Sequence, residues 1–236
     1  AYNAVKGEPR ISFPMTRVIS VDRKIFVKNA VHTYDQVATY IDKYDPVCVG
    51  TCFCRHEAKL RGEDLHGMPV ETCMWFGQRG EYAAERLGGR KVSKEEAMKI
   101  LDKAEEAGLV HMSRNVTEEI DFLCNCDRWH CGVIQSVLKQ PKPGLVFNSG
   151  FQPNFDPERC TSCEICVDRC PPAALKMGDE NVPVVNLDRC FGCAMCAAGC
   201  EQEAVAMEPK PGFPEPPKTT KDLVTAIKAS TVRPQP

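Results

Sequence analysis

The chain carries little net charge and few aromatic residues. Its 30 Lys and Arg residues nearly balance 32 Asp and Glu residues, which leaves a formal charge of -2, and aromatic residues make up 7% of the chain. A near-neutral chain lacks the basic field that holds nucleic acid and the acidic blocks of a solvating tail. We therefore expect no nucleic-acid partner.

Membrane and export segments are also missing. No apolar run approaches the ~18 residues of a transmembrane helix, and no basic segment precedes a signal-peptide core. The sequence thus predicts no transmembrane segment and a cytoplasmic location. Because the chain begins Ala1-Tyr2 without a methionine, we expect a trimmed chain or a further upstream segment.

Common cofactor and hydrolase motifs are missing too. We find no G-x-G-x-x-G after a strand, no P-loop, no H-E-x-x-H and no G-x-S-x-G. Nothing in the sequence indicates a flavin site. Hydride chemistry would then have to come from a partner, such as a flavin-containing oxidoreductase subunit.

Cysteine, in contrast, is abundant. The 236 residues include 15 cysteines, and 43% of the chain is hydrophobic, which is enough for a sizeable core. An odd number of cysteines in repeated C-x-x-C units fits a disulfide framework poorly. The composition therefore predicts metal binding in a reducing compartment.

Eight of the cysteines form two groups with the spacing C-x2-C-x2-C-x3-C. Three thiols at this spacing reach three irons of one cubane, while the fourth is directed at the other cluster. Structural zinc sites are a weaker alternative, because they use separated ligand pairs. The spacing predicts two [4Fe-4S] clusters with exchanged ligands: Cys160, Cys163, Cys166 and Cys200 for cluster I, and Cys190, Cys193, Cys196 and Cys170 for cluster II.

Residues 155–210 resemble the bacterial dicluster ferredoxin domain. The segments "DPERC" and "NLDRC" open the two halves, and "PPAALKM" and "EQEAVAM" close them. One departure is Glu201, where that family usually has proline. The resemblance implies a ferredoxin-like β/α unit that passes single electrons.

Seven further cysteines lie upstream in three separate segments. A C-x-C pair on an extended strand directs both side chains to the same side, where both can reach one metal site. We expect the three segments to converge on one or two sites. The upstream cysteines are Cys48, Cys52, Cys54, Cys73, Cys124, Cys126 and Cys131.

Residues 45–210 also resemble a group of bacterial and archaeal iron-sulfur proteins with a Cys-rich module before the dicluster domain. Asp127 to His130 follow the C-N-C segment, where that group usually has more cysteines. The resemblance implies an added metal site and no particular reaction. The matching residues are Cys52, Cys54, Arg55, Cys73, Gly89, Arg90, Ser93, Glu95, Glu96, Ala97, Gly108 to His111, Cys124, Asn125 and Cys126.

Three interpretations of the upstream cysteines remain open. The favoured one is a third [4Fe-4S] cluster. A structural zinc site is the second, and a cluster or thiol that itself does chemistry is the third. The expected ligands are chiefly Cys54, Cys73, Cys124 and Cys126, with Cys48, Cys52 and Cys131 less favoured. Arg55 and Arg128 are candidates to donate hydrogen bonds to sulfur or to compensate cluster charge, with solvated side chains as the alternative.

Helix and strand signals predict an α+β fold. Ser93 and Glu96 form a capping box before a helix that ends at Gly108, a helix should follow Thr33, and "LVHM" is a strand candidate. We expect four regions: an extended N-terminal arm (1–32), a mixed helical, Cys-rich metal or iron-sulfur module (33–147), a dicluster ferredoxin domain (148–210), and a Pro-rich spacer with a C-terminal helix (211–236).

Together these features predict an iron-sulfur electron-transfer protein that is a subunit of a larger anaerobic oxidoreductase complex. Two alternatives remain open: a reductase whose active centre lies at the upstream cysteines, and a redox sensor that loses an upstream cluster. The two terminal segments are expected either to dock on a partner or, for the C-terminal helix, to fold back on the chain's own domain.

Overall fold

The computed structural model describes residues 15–19 and 37–230, and it contains both strands and helices, as an α+β fold requires. Before the cysteine repeat the elements are β1 Thr16–Val18, α1 Val37–Lys43, β2 Val47–Thr51, α2 Phe53–Leu60, β3 Glu71–Phe76, α3 Gly77–Arg86, β4 Arg90–Val92, α4 Lys94–Glu106, β5 Val110–Arg114, β6 Phe122–Cys126, α5 Gly132–Leu138 and α6 Pro143–Val146. The elements of the repeat and the tail are β7 Phe151–Phe155, α7 Ile165–Asp168, β8 Leu175–Met177, β9 Pro183–Val185, α8 Met195–Ala198, β10 Val205–Pro209 and α9 Thr220–Ser230.

The upstream module is built on one six-stranded sheet with the order β1-β5-β6-β3-β2-β4. Every pair of neighbouring strands is antiparallel. Three of the cysteine-bearing elements, β2, β3 and β6, are adjacent in this order. The sheet therefore gathers cysteines that are far apart in the sequence.

One face of the sheet is an aliphatic and aromatic core. Val47, Val49, Met74 and Phe76 alternate with residues of the opposite face, as the two-residue period of a strand requires. Leu123 of β6 continues the same core. Helices α1, α4 and α9 contribute buried residues to it, so this face is covered by helices.

The opposite face of the sheet carries sulfur. Cys48, Cys73 and Trp75 pack together on β2 and β3. On β6, Cys126 belongs to an apolar cluster that also contains Phe147 and residues of the repeat. The pleat thus separates an apolar helix-covered face from a thiol-bearing face.

Helix α4 has the ends predicted from the sequence. The Ser93 side chain accepts a hydrogen bond from the backbone N–H of Glu96, and Gly108 follows the helix with a φ of 78°. The Arg169 guanidinium donates to the carbonyl oxygens of Glu105 and Glu106, at 2.7 and 3.0 Å. A cation at a helix C-terminus is stabilising, so Arg169 joins the upstream module to the repeat.

The repeat in the sequence is also a repeat in the backbone. Strand β7 pairs with β10, and β8 pairs with β9. The left-handed conformation recurs at matching positions of the two halves, which shows that both loops follow the same path. The matching pairs are Ser162 and Gly192 (φ 57° and 64°), Glu164 and Ala194 (62° and 63°), and Ala173 and Glu203 (49° and 48°).

Both ends that the structure describes pack on the upstream module. Strand β1 is an edge strand of the large sheet, so this part of the expected arm belongs to the module. Leu223 of α9 is buried in the core and Ile227 packs against it, so the tail helix folds back on its own chain. Docking of this apolar face on a partner is therefore the wrong alternative. Thr33, the expected start of α1, lies outside the described residues.

Among the helices in the described part of the chain, none has the length and apolar character needed to span a bilayer.

Replacing Leu223 with alanine should lower the free energy of unfolding by about 2–4 kcal/mol, because it leaves a cavity in the core. Val224→Ala is the matched control, since Val224 is 43% exposed, and it should change stability by less than about 0.5 kcal/mol. Urea unfolding of the anaerobically prepared protein, followed by circular dichroism, measures both. Equal urea concentrations at the unfolding midpoints of the two variants would contradict the packing of α9 on the core.

Candidate iron-sulfur sites

Cavity I is lined by the four cysteines expected to bind cluster I. They are Cys160, Cys163, Cys166 and Cys200. Cys163 is exposed and the other three are partly buried. Apolar side chains such as Phe155 and Met177 complete the lining. This cavity is therefore open to the surface on its Cys163 side.

Cavity II is lined by the four cysteines expected to bind cluster II. They are Cys170, Cys190, Cys193 and Cys196, and none is more than 9% exposed. Cavities I and II are similar in size. Two cavities of similar size, each with four thiols and an apolar lining, fit two copies of one cofactor. The assignment of individual ligands stays a prediction.

Local backbone geometry brings each set of thiols together. Glu164 and Ala194 directly follow the second cysteine of their groups, and their left-handed conformation starts α7 and α8. The fourth cysteine comes just after each short helix, where its sulfur accepts a backbone N–H. The distances are 3.2 Å from Ala174 N to Cys170 Sγ and 3.3 Å from Ala204 N to Cys200 Sγ. Such bonds favour the thiolate form that binds iron.

Burial raises the pKa of the thiols around cavity II. Desolvation is the largest cause for Cys170, Cys190 and Cys196, because the charged thiolate is disfavoured in an apolar interior. These thiols would ionise when a metal cation compensates the charge, with release of protons. The chemistry of this donor set fits a buried, cationic iron core.

Six of the seven upstream cysteines form a closed ring, which we call the thiol ring. Each thiol lies close enough to two neighbours to shift their pKa values, and this series of neighbours returns to the starting residue. The order around the ring is Cys52, Cys54, Cys131, Cys126, Cys124, Cys73 and back to Cys52. The structure thus brings together the four favoured cysteines and also two of the less favoured ones.

Strands and helix starts supply the members of the thiol ring. Cys73 lies on β3, and Cys124 and Cys126 lie on β6. Cys52 and Cys131 occupy the N-cap positions of α2 and α5, and neither side chain caps its helix. An uncapped N-cap thiol remains free to face the ring. The sequence named both only as less favoured ligands, and cysteine is not a typical N-cap residue, so their positions at the helix starts were not predicted.

Cys48 is the upstream cysteine outside the ring. It is fully buried on β2, beside Trp75 and Ala83. A methyl group added at Gly89 would come within 2.6 Å of its sulfur, so Gly89 leaves the space that Cys48 fills. Cys48 therefore behaves as a small apolar core residue.

Neighbouring thiols lower the pKa of two members of the ring. Donation from the Cys131 and Cys52 thiols lowers the pKa of Cys54, and donation from Cys126 and Cys73 lowers the pKa of Cys124 to about 5. Backbone N–H groups of Arg55 and Gly132 also donate to Cys52 and Cys54. The same interactions raise the pKa of Cys52 and Cys126, so each lowered thiol stands beside a raised one.

A buried arginine lies beside the ring. Arg55 is 1% exposed, and its guanidinium donates to the Asp127 carboxylate at 2.9 Å, to the Asn125 carbonyl at 3.0 Å and to the Thr72 hydroxyl. Its charge interacts with Cys52 and Cys126. The Arg55 guanidinium therefore places a positive charge beside these thiols in the interior.

Asp127 organises the loop that follows the C-N-C segment. One carboxylate oxygen accepts hydrogen bonds from the backbone N–H groups of Trp129 and His130, at 2.8 and 2.6 Å, and contacts His130 Nδ1 at 3.0 Å. The other oxygen pairs with Arg55. The sequence did not reveal this role, and its only signal was an acidic residue directly after the motif.

The thiol ring and the two cavities are alike in how their metal-ligating side chains are spread. In residues 15–19 and 37–230, no three His, Cys, Asp or Glu side chains converge as the ligands of a single ion do. The cysteines of cavities I and II share this property, and each thiolate of a cubane binds a different iron.

The thiol ring adjoins cavity II. Cys126 and Cys131 share an apolar cluster with Cys193, and the Arg128 guanidinium donates to the Cys170 carbonyl oxygen at 3.3 Å. Cavity II in turn adjoins cavity I, since Cys166 and Cys200 pack on the cluster that contains Cys170 and Cys196. The three groups of thiols thus lie in sequence: ring, cavity II, cavity I.

Comparison with known proteins identifies one region. Residues 152–201 match the model of the 4Fe-4S dicluster domain, which lies within the predicted 148–210. No curated protein matches the chain. The match supports [4Fe-4S] clusters and an iron-sulfur electron-transfer role for this region.

Exchanged ligation can be tested by matched variants. Cys170→Ala should remove the cluster of cavity II, about four of about eight irons in the repeat. Its reduced-state EPR spectrum should therefore match that of Cys196→Ala. If it instead matches Cys166→Ala, the sequence neighbour, the predicted exchange is wrong.

Proposed function

We propose that this protein relays single electrons between redox partners, with iron-sulfur groups held at cavity I, cavity II and the thiol ring. The observation that carries the proposal is the continuous series of thiols from the ring to the surface. When bound, the [4Fe-4S] clusters supply one-electron redox chemistry. The third iron-sulfur site and the relay through it go beyond what the dicluster match covers.

The residues of the chain position and insulate these groups. Phe147 and Phe191 pack edge to face, with ring centroids 4.9 Å apart, in the apolar cluster between the ring and cavity II. Such packing excludes water from the space between adjacent sites. Backbone N–H groups and Arg55 stabilise the negative charge of the thiolates.

The surface end of the series is Cys163. This residue is exposed, while every cysteine of cavity II is buried. A redox protein that docks over cavity I would come close to its thiols without any rearrangement. Exposed thiolates are also the first to be oxidised, which favours an anaerobic setting. We therefore place the chain in an anaerobic oxidoreductase system with a protein partner at this end.

The upstream site can be identified by metal content. The intact protein should carry at least about four irons beyond the roughly eight of the repeat, and Cys54→Ala or Cys126→Ala should remove only the additional irons. Anaerobic iron, sulfide and zinc analysis measures this. About one zinc per chain with no additional iron would overturn the proposed electron transfer through the ring. The ring would then be a structural zinc site.

The order of the three sites can be tested by magnetic coupling. In Cys166→Ala, which empties cavity I, the reduced ring site and cavity II should still broaden each other's EPR signals. In Cys196→Ala the remaining sites are separated by the emptied middle position, so broadening should decrease. Stronger coupling in Cys196→Ala than in Cys166→Ala would contradict the proposed series.

A further inference from the structure

Arg169 and Gly199 occupy equivalent positions in the two halves of the repeat. Each directly precedes the fourth cysteine of its group, Cys170 or Cys200, and each is the C-cap of a short helix. Their φ angles are -73° and -90°. The backbone conformation at position 199 therefore does not require glycine, because arginine adopts a similar conformation at position 169.

The side chain of Arg169 occupies the space beside Gly199. A methyl group added at Gly199 would lie 2.5 Å from Arg169 Nε, which is well inside van der Waals contact. The two equivalent positions of the repeat thus meet in space. The long cation fits at one position because the other has no side chain.

The guanidinium of Arg169 joins the repeat to the end of α4. Its Nε atom donates to the carbonyl oxygen of Met195 at 3.3 Å, and Met195 directly precedes Cys196. Its other two nitrogens donate to the carbonyl oxygens of Glu105 and Glu106, at 2.7 and 3.0 Å. The planar guanidinium reaches all three acceptors in one fixed geometry, which the compact ammonium of a lysine does not reproduce.

These contacts reach the backbone of both cavities. Cys170 follows Arg169 in the sequence, Cys196 follows its acceptor, and Cys200 follows the glycine beside it. Cys170 and Cys196 line cavity II, and Cys200 lines cavity I. A functional site requires its ligands to be held to within about 0.5 Å by their supporting contacts. A displaced Arg169 side chain would therefore affect thiols of both cavities at once.

We propose that Arg169 is a positioning residue for electron exchange between the groups bound in cavities I and II. Its guanidinium ties the backbone of both cavities to the end of α4, and so fixes the separation and orientation of the two groups. This inference rests on the proposed iron-sulfur role of the two cavities and names the residue that sets their relative geometry. It does not depend on the thiol ring.

Variants of both members of the contact test this role. In the anaerobically prepared full chain, two reduced clusters at a fixed separation should give an EPR spectrum with a resolved splitting. Arg169→Ala and Gly199→Ala should each retain the roughly eight irons of the repeat and lose this splitting, because the thiol-bearing segments then adopt a range of positions. The double variant should equal Arg169→Ala, since the added methyl group no longer meets the arginine.

Arg159→Ala is the matched control. Arg159 also directly precedes a cysteine of the repeat, but its side chain is 51% exposed and pairs with Glu203 at the surface, at 3.1 Å. This variant should keep the splitting of the unaltered protein. Arg169→Lys keeps the positive charge without the fixed set of three hydrogen bonds, so it should retain the iron and lose the splitting as Arg169→Ala does.

The outcomes separate this inference from the proposed function. An unchanged splitting in Arg169→Lys, or in iron-loaded Arg169→Ala, would overturn the positioning role and leave the relay intact. An effect of Gly199→Ala that is equal with and without Arg169 would also overturn it, as would two clusters without a resolved splitting in the unaltered protein. Failure of the unaltered protein to bind clusters in cavities I and II would overturn the proposed function itself. Loss of the splitting in both single variants and in Arg169→Lys, but not in Arg159→Ala, supports the positioning role.

Discussion

Negative charge buried beside the sheet is the constraint on which the rest of the structure depends. Thiolates in an apolar interior are costly unless cations and N–H donors compensate them. Arg55 supplies the cation beside the thiol ring, and Asp127 fixes the guanidinium while ordering the next loop. Removing either partner would leave an uncompensated buried charge, the costly case for an ion pair.

Successive side chains of a strand point to opposite faces of a sheet, so one sheet can carry aliphatic residues on one face and cysteines on the other. Aliphatic residues of β2, β3 and β6 face helices α1, α4 and α9, while on the other face Cys126 of β6 packs against residues of the repeat. A sheet packed on both sides keeps water from the thiols and also holds the two parts together. Arg169 at the end of α4 adds a polar link at the edge of this contact.

The sequence predicted the local features well because they depend on short separations. The spacing of the repeat predicted which four cysteines line each cavity, and the capping box predicted α4. The ring depends on strand pairings between distant segments, such as Met74 with Leu123, which no spacing encodes. Likewise, the apolar face of α9 was visible in the sequence, but the surface that covers Leu223 was not.

Identical spacing in the two halves of the repeat does not make their sites equivalent. The cysteines of cavity II are all buried, whereas those of cavity I are partly or fully exposed. An added electron adds negative charge, which burial disfavours and solvent stabilises. Arg128, whose charge acts on Cys170, opposes the effect of burial at cavity II. Residues of the upstream module pack against cavity II, so the difference in burial between the two sites depends on the module as well as on the repeat.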